Sequence, residues 1–143
     1  MTATPTNFEE KLITGLLNSV TLTSYGVEKT ASYSPGDVID GAGVLVCEIT
    51  NREQRYPGVP VYFLSVSLLG MTFVSVDPDQ SIIREVFDDT LKSVQGWTAA
   101  ALTTATGLTV DGILPITTAA IRGSADRYTF SVDFQLAMSN VQF

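Results

Sequence analysis

The sequence predicts an α+β fold: an antiparallel or mixed β-sheet with a long hairpin and helices packed on one face. Three observations carry this. Segments 8–20 and 83–94 repeat apolar residues at helical spacing, whereas 61–76 and 127–138 read as strands, the latter with clean alternation. These blocks follow one another as helix, strands, helix, strands, which is the α+β layout. The chain has 143 residues, of which 45% are hydrophobic. That suits a single domain, 1–143, with a core of its own.

The first helix is expected over about Asn7–Val20. Thr6 and Glu9 have capping-box spacing. Phe8, Leu12, Leu16 and Val20 recur every fourth residue, with Ile13 and Leu17 beside them. Residues 21–43 contain Gly26, Pro35, Gly36, Gly41 and Gly43 and read as a long loop.

Val44–Thr50 reads as a strand. Asn51–Gly58, NREQRYPG, reads as a charged hairpin tip leading into a long strand, Val61–Val76. Tyr62, Leu64, Val66 and Leu68 share one face of it, and Gly70 predicts a bulge or bend. The residues Asp77-Pro78-Asp79-Gln80 then place Asp at an N-cap, Pro at the first helical position and Gln three residues past the cap. The helix they open has an apolar face of Ile83, Val86, Phe87, Thr90, Leu91 and Val94 and ends at Gly96. On its opposite face Arg84, Asp88 and Lys92 stand at i, i+4 spacing.

Trp97–Thr106 reads as a short further helix stopped by Gly107. Leu108–Ile121 holds Gly112 and Pro115 and reads as an edge or irregular strand, because proline cannot donate to a ladder. Arg122–Asp126 is a turn. In Arg127–Met138, Tyr128, Phe130, Val132, Phe134, Leu136 and Met138 alternate with polar residues.

Composition excludes more chemistry than it suggests. The chain has no histidine, so the commonest general base and metal ligand is missing. Its net charge is −7, against broad binding of nucleic-acid backbone. The charge is spread evenly: 4 basic and 7 acidic residues in 1–70, 4 and 8 in 71–143. One cysteine, Cys47, cannot close an internal disulfide, and it lacks a histidine to activate it. Asp77-Pro78-Asp79-Gln80-Ser81 has oxygen ligands like the start of a calcium loop, but Ile82 stands where that loop needs glycine. Asp88 and Asp89 are helix neighbours and point about 100° apart, so they do not share one small site. Gly41-Ala42-Gly43 precedes a strand instead of following one, unlike a dinucleotide fingerprint. No stretch has the build of a signal peptide or membrane helix. The expectation is a non-enzyme with no cofactor and no metal, away from membranes.

The residues that remain for function are at loop tips. Arg52, Glu53, Arg55 and Tyr56 fall in the expected hairpin tip, and Arg122, Asp126 and Arg127 bracket the last turn. Arg and Tyr at exposed tips favour a subunit or partner interface; a plain solvated turn would have the same composition.

The layout resembles the tail-terminator and tail-completion (neck) proteins of long-tailed bacteriophages. The resemblance rests on the leading helix Asn7–Val20 and on strand Val44–Thr50, charged loop Arg52–Pro60 and long strand Val61–Val76. The helix Asp77–Gln95 and the closing strands Leu108–Ile121 and Arg127–Met138 complete it. It is one of pattern, without a diagnostic motif, and the long 21–43 segment departs from it.

What the resemblance implies is a structural virion protein of the tail or neck, assembled in the host cytoplasm. It would form a homo-oligomeric ring, a hexamer in the family, that ends the tail tube. Its partners would be the tail tube protein and the head–tail connector or adaptor proteins, with DNA passing through the lumen. An acidic lumen would discourage the duplex from sticking. Tail tube, adaptor or baseplate protein, or a small non-viral ligand-binding α+β domain, remain alternatives.

Overall fold

The structure is a computed structural model and describes residues 8–23, 27–30, 43–54, 58, 61–114 and 116–139. Among these, six strands form one mixed sheet with three helices on one face. The Thr6 cap expected for the first helix lies outside the described residues.

Helix α1, Phe8–Asn18, buries Phe8, Leu12, Leu16 and Leu17, the stripe that its spacing predicts. Val20, just past its end, is 1% exposed. The chain then runs along the outside of the next helix, tied by side chains spaced four apart. Thr21 N–H donates to Ser93 Oγ (3.1 Å) and Thr23 N–H to Asp89 Oδ2 (2.9 Å). The Thr23 hydroxyl lies 2.6 Å from Glu85 Oε1. This strap leads into a strand that the loop reading of 21–43 missed: β1, Val27–Thr30, lies parallel to β2, Gly43–Glu53. Lys29 Nζ, donating to the Val20 carbonyl at 3.0 Å, fastens it to the end of α1. Four residues with one apolar side chain give no periodicity, and parallel pairing comes from distant partners.

β2 also runs further than expected. Its pairing with β3, Val61–Phe73, continues past Val44–Thr50 to Glu53↔Phe63, with the register shift between Ile49 and Asn51. Arg52 and Glu53 are therefore strand residues. The bulge belongs to β2; at Gly70 pairing is unbroken on both sides, to Leu45 and to Phe130. Gly70 is there for space: a Cβ would run into the Phe130 ring. That ring stacks on Phe87 with 4.8 Å between centroids, and no side chain fits between ring and strand.

Helix α2, Ser81–Gly96, begins four residues after Asp77. Asp77 and Gln80 first close a turn, and Gln80 adopts a left-handed backbone. Asp77 still caps: its carboxylate, 1% exposed, accepts from Ile82 N–H and Ile83 N–H, both at 2.9 Å, and from the Thr72 hydroxyl. The capping chemistry is as expected, but Pro78 lies in the turn, not at the first helical position. Arg84 donates to Gln80 Oε1 at 3.3 Å. α3, Ala99–Thr106, starts on Thr98, whose hydroxyl accepts from Ala101 N–H, and ends at Gly107 with φ 71°. That left-handed turn suits glycine.

The expected irregular strand 108–121 is two strands, β4, Val110–Ile113, and β5, Thr117–Gly123. Both pair antiparallel with β6, Arg127–Ser139. The turn expected at Arg122–Asp126 is shortened accordingly, since β5 reaches Gly123. The order across the sheet is β1-β2-β3-β6, with β4 and β5 pairing successive stretches of the far edge of β6.

Leu64, Val66, Leu68, Val132, Phe134 and Leu136 face the helices with α1, Ile83, Val86 and Leu102, all 7% exposed or less. Each such side chain contributes about 1.5–3 kcal/mol of burial. Trp97 closes the corner where α2 turns into α3: its Nε1–H donates to the Ser19 carbonyl at 3.0 Å, and its ring meets Phe134 edge-on. On the other face Val44, Val46 and Met71 form a small second cluster with Leu69.

Candidate assembly interface

The residues singled out from the sequence do not form one site. Arg52 pairs with Leu64 and Arg127 with Phe73, so nine residue steps along β3 separate them. At about 3.3 Å per residue that is roughly 30 Å. Arg52 and Glu53 stand at one end of the sheet; Arg122, Asp126 and Arg127 stand together at the other.

At the first end, Arg52 shares the face of Leu64, towards the helices, and forms an ion pair with Glu9 of α1. Both side chains are about two-fifths exposed, 43% and 42%. An ion pair this exposed contributes little to stability; it ties the end of β2 to the start of α1. Glu53, paired with Phe63, points to the opposite face. Arg55 and Tyr56 lie outside the described residues.

At the second end, the guanidinium of Arg127 reaches both oxygens of Asp126, at 3.2 and 3.3 Å. This hydrogen bonding, chiefly, holds the Asp126 carboxyl below its ordinary range. The same guanidinium lies 5.9 Å from the centre of the Phe73 ring and 3.5 Å from Met71 Sδ. Arg127 also borders a hollow of about 320 Å3 lined by Val44, Val46, Glu48, Leu69 and Met71. Val76, 48% exposed, follows the end of β3. Sequence reasoning passed over Phe73 and Val76 because both sit inside the apolar run of one strand. Only the position where β3 stops leaves them at a rim.

Arg122 differs from Arg127. It lies on β5 opposite Thr129, exposed, and its side chain makes no hydrogen bond or ion pair with the described residues. β5 pairs only with β6, and β1 only with β2, so among the described residues the sheet has a bare strand at each side. Unpaired strand edges accept another strand unless something blocks them.

The remaining chemistry is sparse. Cys47 is fully buried in β2, and burial pushes its thiol up to about 12, which keeps it protonated at neutral pH. No group of three metal-binding side chains occurs among the described residues. Asp79, bonded to Ser81 and exposed, serves the turn before α2. A polar hollow of about 400 Å3 on the face away from the helices is lined by Thr50, Ser65, Leu114, Thr117, Asp133 and Gln135. Within it Gln135 Nε2 donates to Ser65 Oγ, and Ser131 Oγ, outside the lining, donates to Asp133. No helix among the described residues is long and apolar enough to cross a membrane. No protein-family model matches the chain, and no curated protein matches it.

Proposed function

We propose that this chain is a structural protein of a phage tail or neck. It assembles into a ring, a hexamer by resemblance, that ends the tail tube and joins it to the head connector while DNA passes through the lumen. The observation that carries the reading is that, among the described residues, the strand at each side of the sheet is unpaired on its outer edge, with charged and aromatic rims at the two ends. A ring needs two different lateral surfaces on each subunit, because a repeating head-to-tail contact joins unlike patches. It also needs two distinct ends, one for the tube and one for the connector. The Arg127–Phe73–Val76 rim and the Arg52–Glu53 rim, roughly 30 Å apart along the strands, supply these.

Light scattering behind size exclusion, followed by negative-stain imaging, tests the reading. A closed ring with a central hole is expected. A monomer at tens of micromolar overturns it. The runner-up, a small ligand-binding domain, has the polar hollow around Asp133 and Gln135 in its favour. It gains if the chain stays monomeric and Asp133→Ala weakens binding of a polar small molecule.

A further inference from the structure

The pairing registers link into continuous rows that cross the sheet from β1 to β5. One row reads Glu28–Val44–Met71–Thr129–Arg122. The next but one towards the middle of the sheet reads Thr30–Val46–Leu69–Ser131–Ala119. The row on the other side of the first reads Val27–Gly43–Thr72–Tyr128–Gly123. The two edge strands thus occupy the same level of the sheet. They also run in opposite directions: β1 is parallel to β2 and hence to β6, and β5 is antiparallel to β6.

We infer that β5 of one copy pairs antiparallel with β1 of the next, in the register that continues these rows. The occupant of each edge left unpaired among the described residues is a second copy of this chain. The row beginning at Glu28 ends at Arg122, so the continued register sets Arg122 opposite Glu28 of the neighbouring copy. Arg122 is the one cation between Val110 and Gly123 and is unused within the described residues. In a chain of net charge −7, copies repel one another, and a cation meeting an anion at the contact offsets that locally. The pairing is head to tail, so it repeats until it closes, as a ring requires. This inference rests on the ring reading and specifies its lateral contact.

Charge reversal and cross-linking test it on the full chain. R122E sets two acidic groups opposite each other, and like charges across an interface are costly. The apparent dissociation constant for assembly is expected to rise about tenfold or more, and E28R is expected to do the same. The double variant R122E/E28R restores assembly. R122E keeps the circular dichroism and melting temperature of the isolated subunit, because the Arg122 side chain is exposed and has no hydrogen bond or ion pair with the described residues. In parallel, Ala119→Cys and Thr30→Cys in one chain, in a Cys47→Ala background, yield a ladder of oxidised species ending at the ring size.

Rings that persist in R122E and E28R, with no ladder, overturn the register while leaving the ring reading standing. A disulfide-linked dimer from Ala119→Cys alone shows β5 pairing with β5 about a two-fold axis and likewise overturns it. A wild-type monomer overturns both.

Discussion

Gly70→Ala is the sharpest test of how this sheet is packed. Gly70 sits mid-strand without a positive φ, and pairing through it is regular. On backbone grounds alone, alanine would therefore gain about 0.5–1 kcal/mol, by restricting the unfolded chain. The packing says otherwise. The new methyl would overlap Phe130 Cε2 and Cζ and stand 2.8 Å from Cδ2. Restoring ordinary contact moves the ring by roughly 1.5 Å. Phe130 is 3% exposed, and its other face stacks on Phe87 of α2, so it has nowhere to retreat without shifting the helix. Overpacking of this kind costs about 1–3 kcal/mol, which outweighs the entropic gain.

The net expectation is destabilisation of about 1–2 kcal/mol, read as a lower urea midpoint with unchanged slope. The melting temperature should fall by roughly 3–8 °C. Phe130→Leu in the same background should relieve part of the loss, with a coupling of about 1 kcal/mol in a double-mutant cycle. Gly70→Ala as stable as the parent would refute the reasoning, as would strict additivity with Phe130→Leu.

Three further outcomes follow from the same core. Thr90 is 0% exposed and its hydroxyl has no partner among the described residues. Thr90→Val should therefore stabilise by about 1 kcal/mol in urea unfolding; a loss would mean the hydroxyl is satisfied. Asp77→Ala removes the acceptor for Ile82 N–H, Ile83 N–H and Thr72 and should cost about 2–3 kcal/mol, with Asp77→Asn intermediate. Equal stability of Asp77→Ala would show that the cap is dispensable. Cys47, with its thiol raised to about 12, should resist a disulfide reagent at pH 8 and react once urea unfolds the chain. Above the unfolded value of 9.0 the unfolded chain loses this proton and the folded chain keeps it. Stability contributed by Cys47 is thus present below pH 9 and falls as pH rises towards 12. A Cys47→Ala variant lacking that part of the alkaline decline is the check.

The elements with strong periodicity were legible before any coordinates. Phe8, Leu12 and Leu16, the Ile83–Val94 face and the alternation of Arg127–Met138 each express one local rule, and their side chains are buried or, as with Phe87, Leu91 and Tyr128, partly buried against the core. Gly107 likewise ends α3, as its place in the sequence predicts, through local chemistry. The misses share a cause. β1 exists because β2 offers it an edge, and nothing within four residues records that. Gly70 suggested a bend because its real partner, Phe130, is sixty residues away. The capping Asp77 was recognised, but the turn to Gln80 before α2 was not, because the same residue types serve both.

The candidate interface divides the same way. Arg52, Arg122, Asp126 and Arg127 were identifiable as charged residues near turns. Their grouping was not: pairing registers placed Arg52 beside Glu9 at one end and gathered the other three at the far end. The sequence alone determined the α+β class, the helix faces, the strand alternation and the poverty of catalytic chemistry, because each follows from neighbours a few residues apart. Only the tertiary structure decided which strands lie at the edges and that the row from Glu28 ends at Arg122. Those facts are set by the order in which distant strands pair, and local sequence does not encode it.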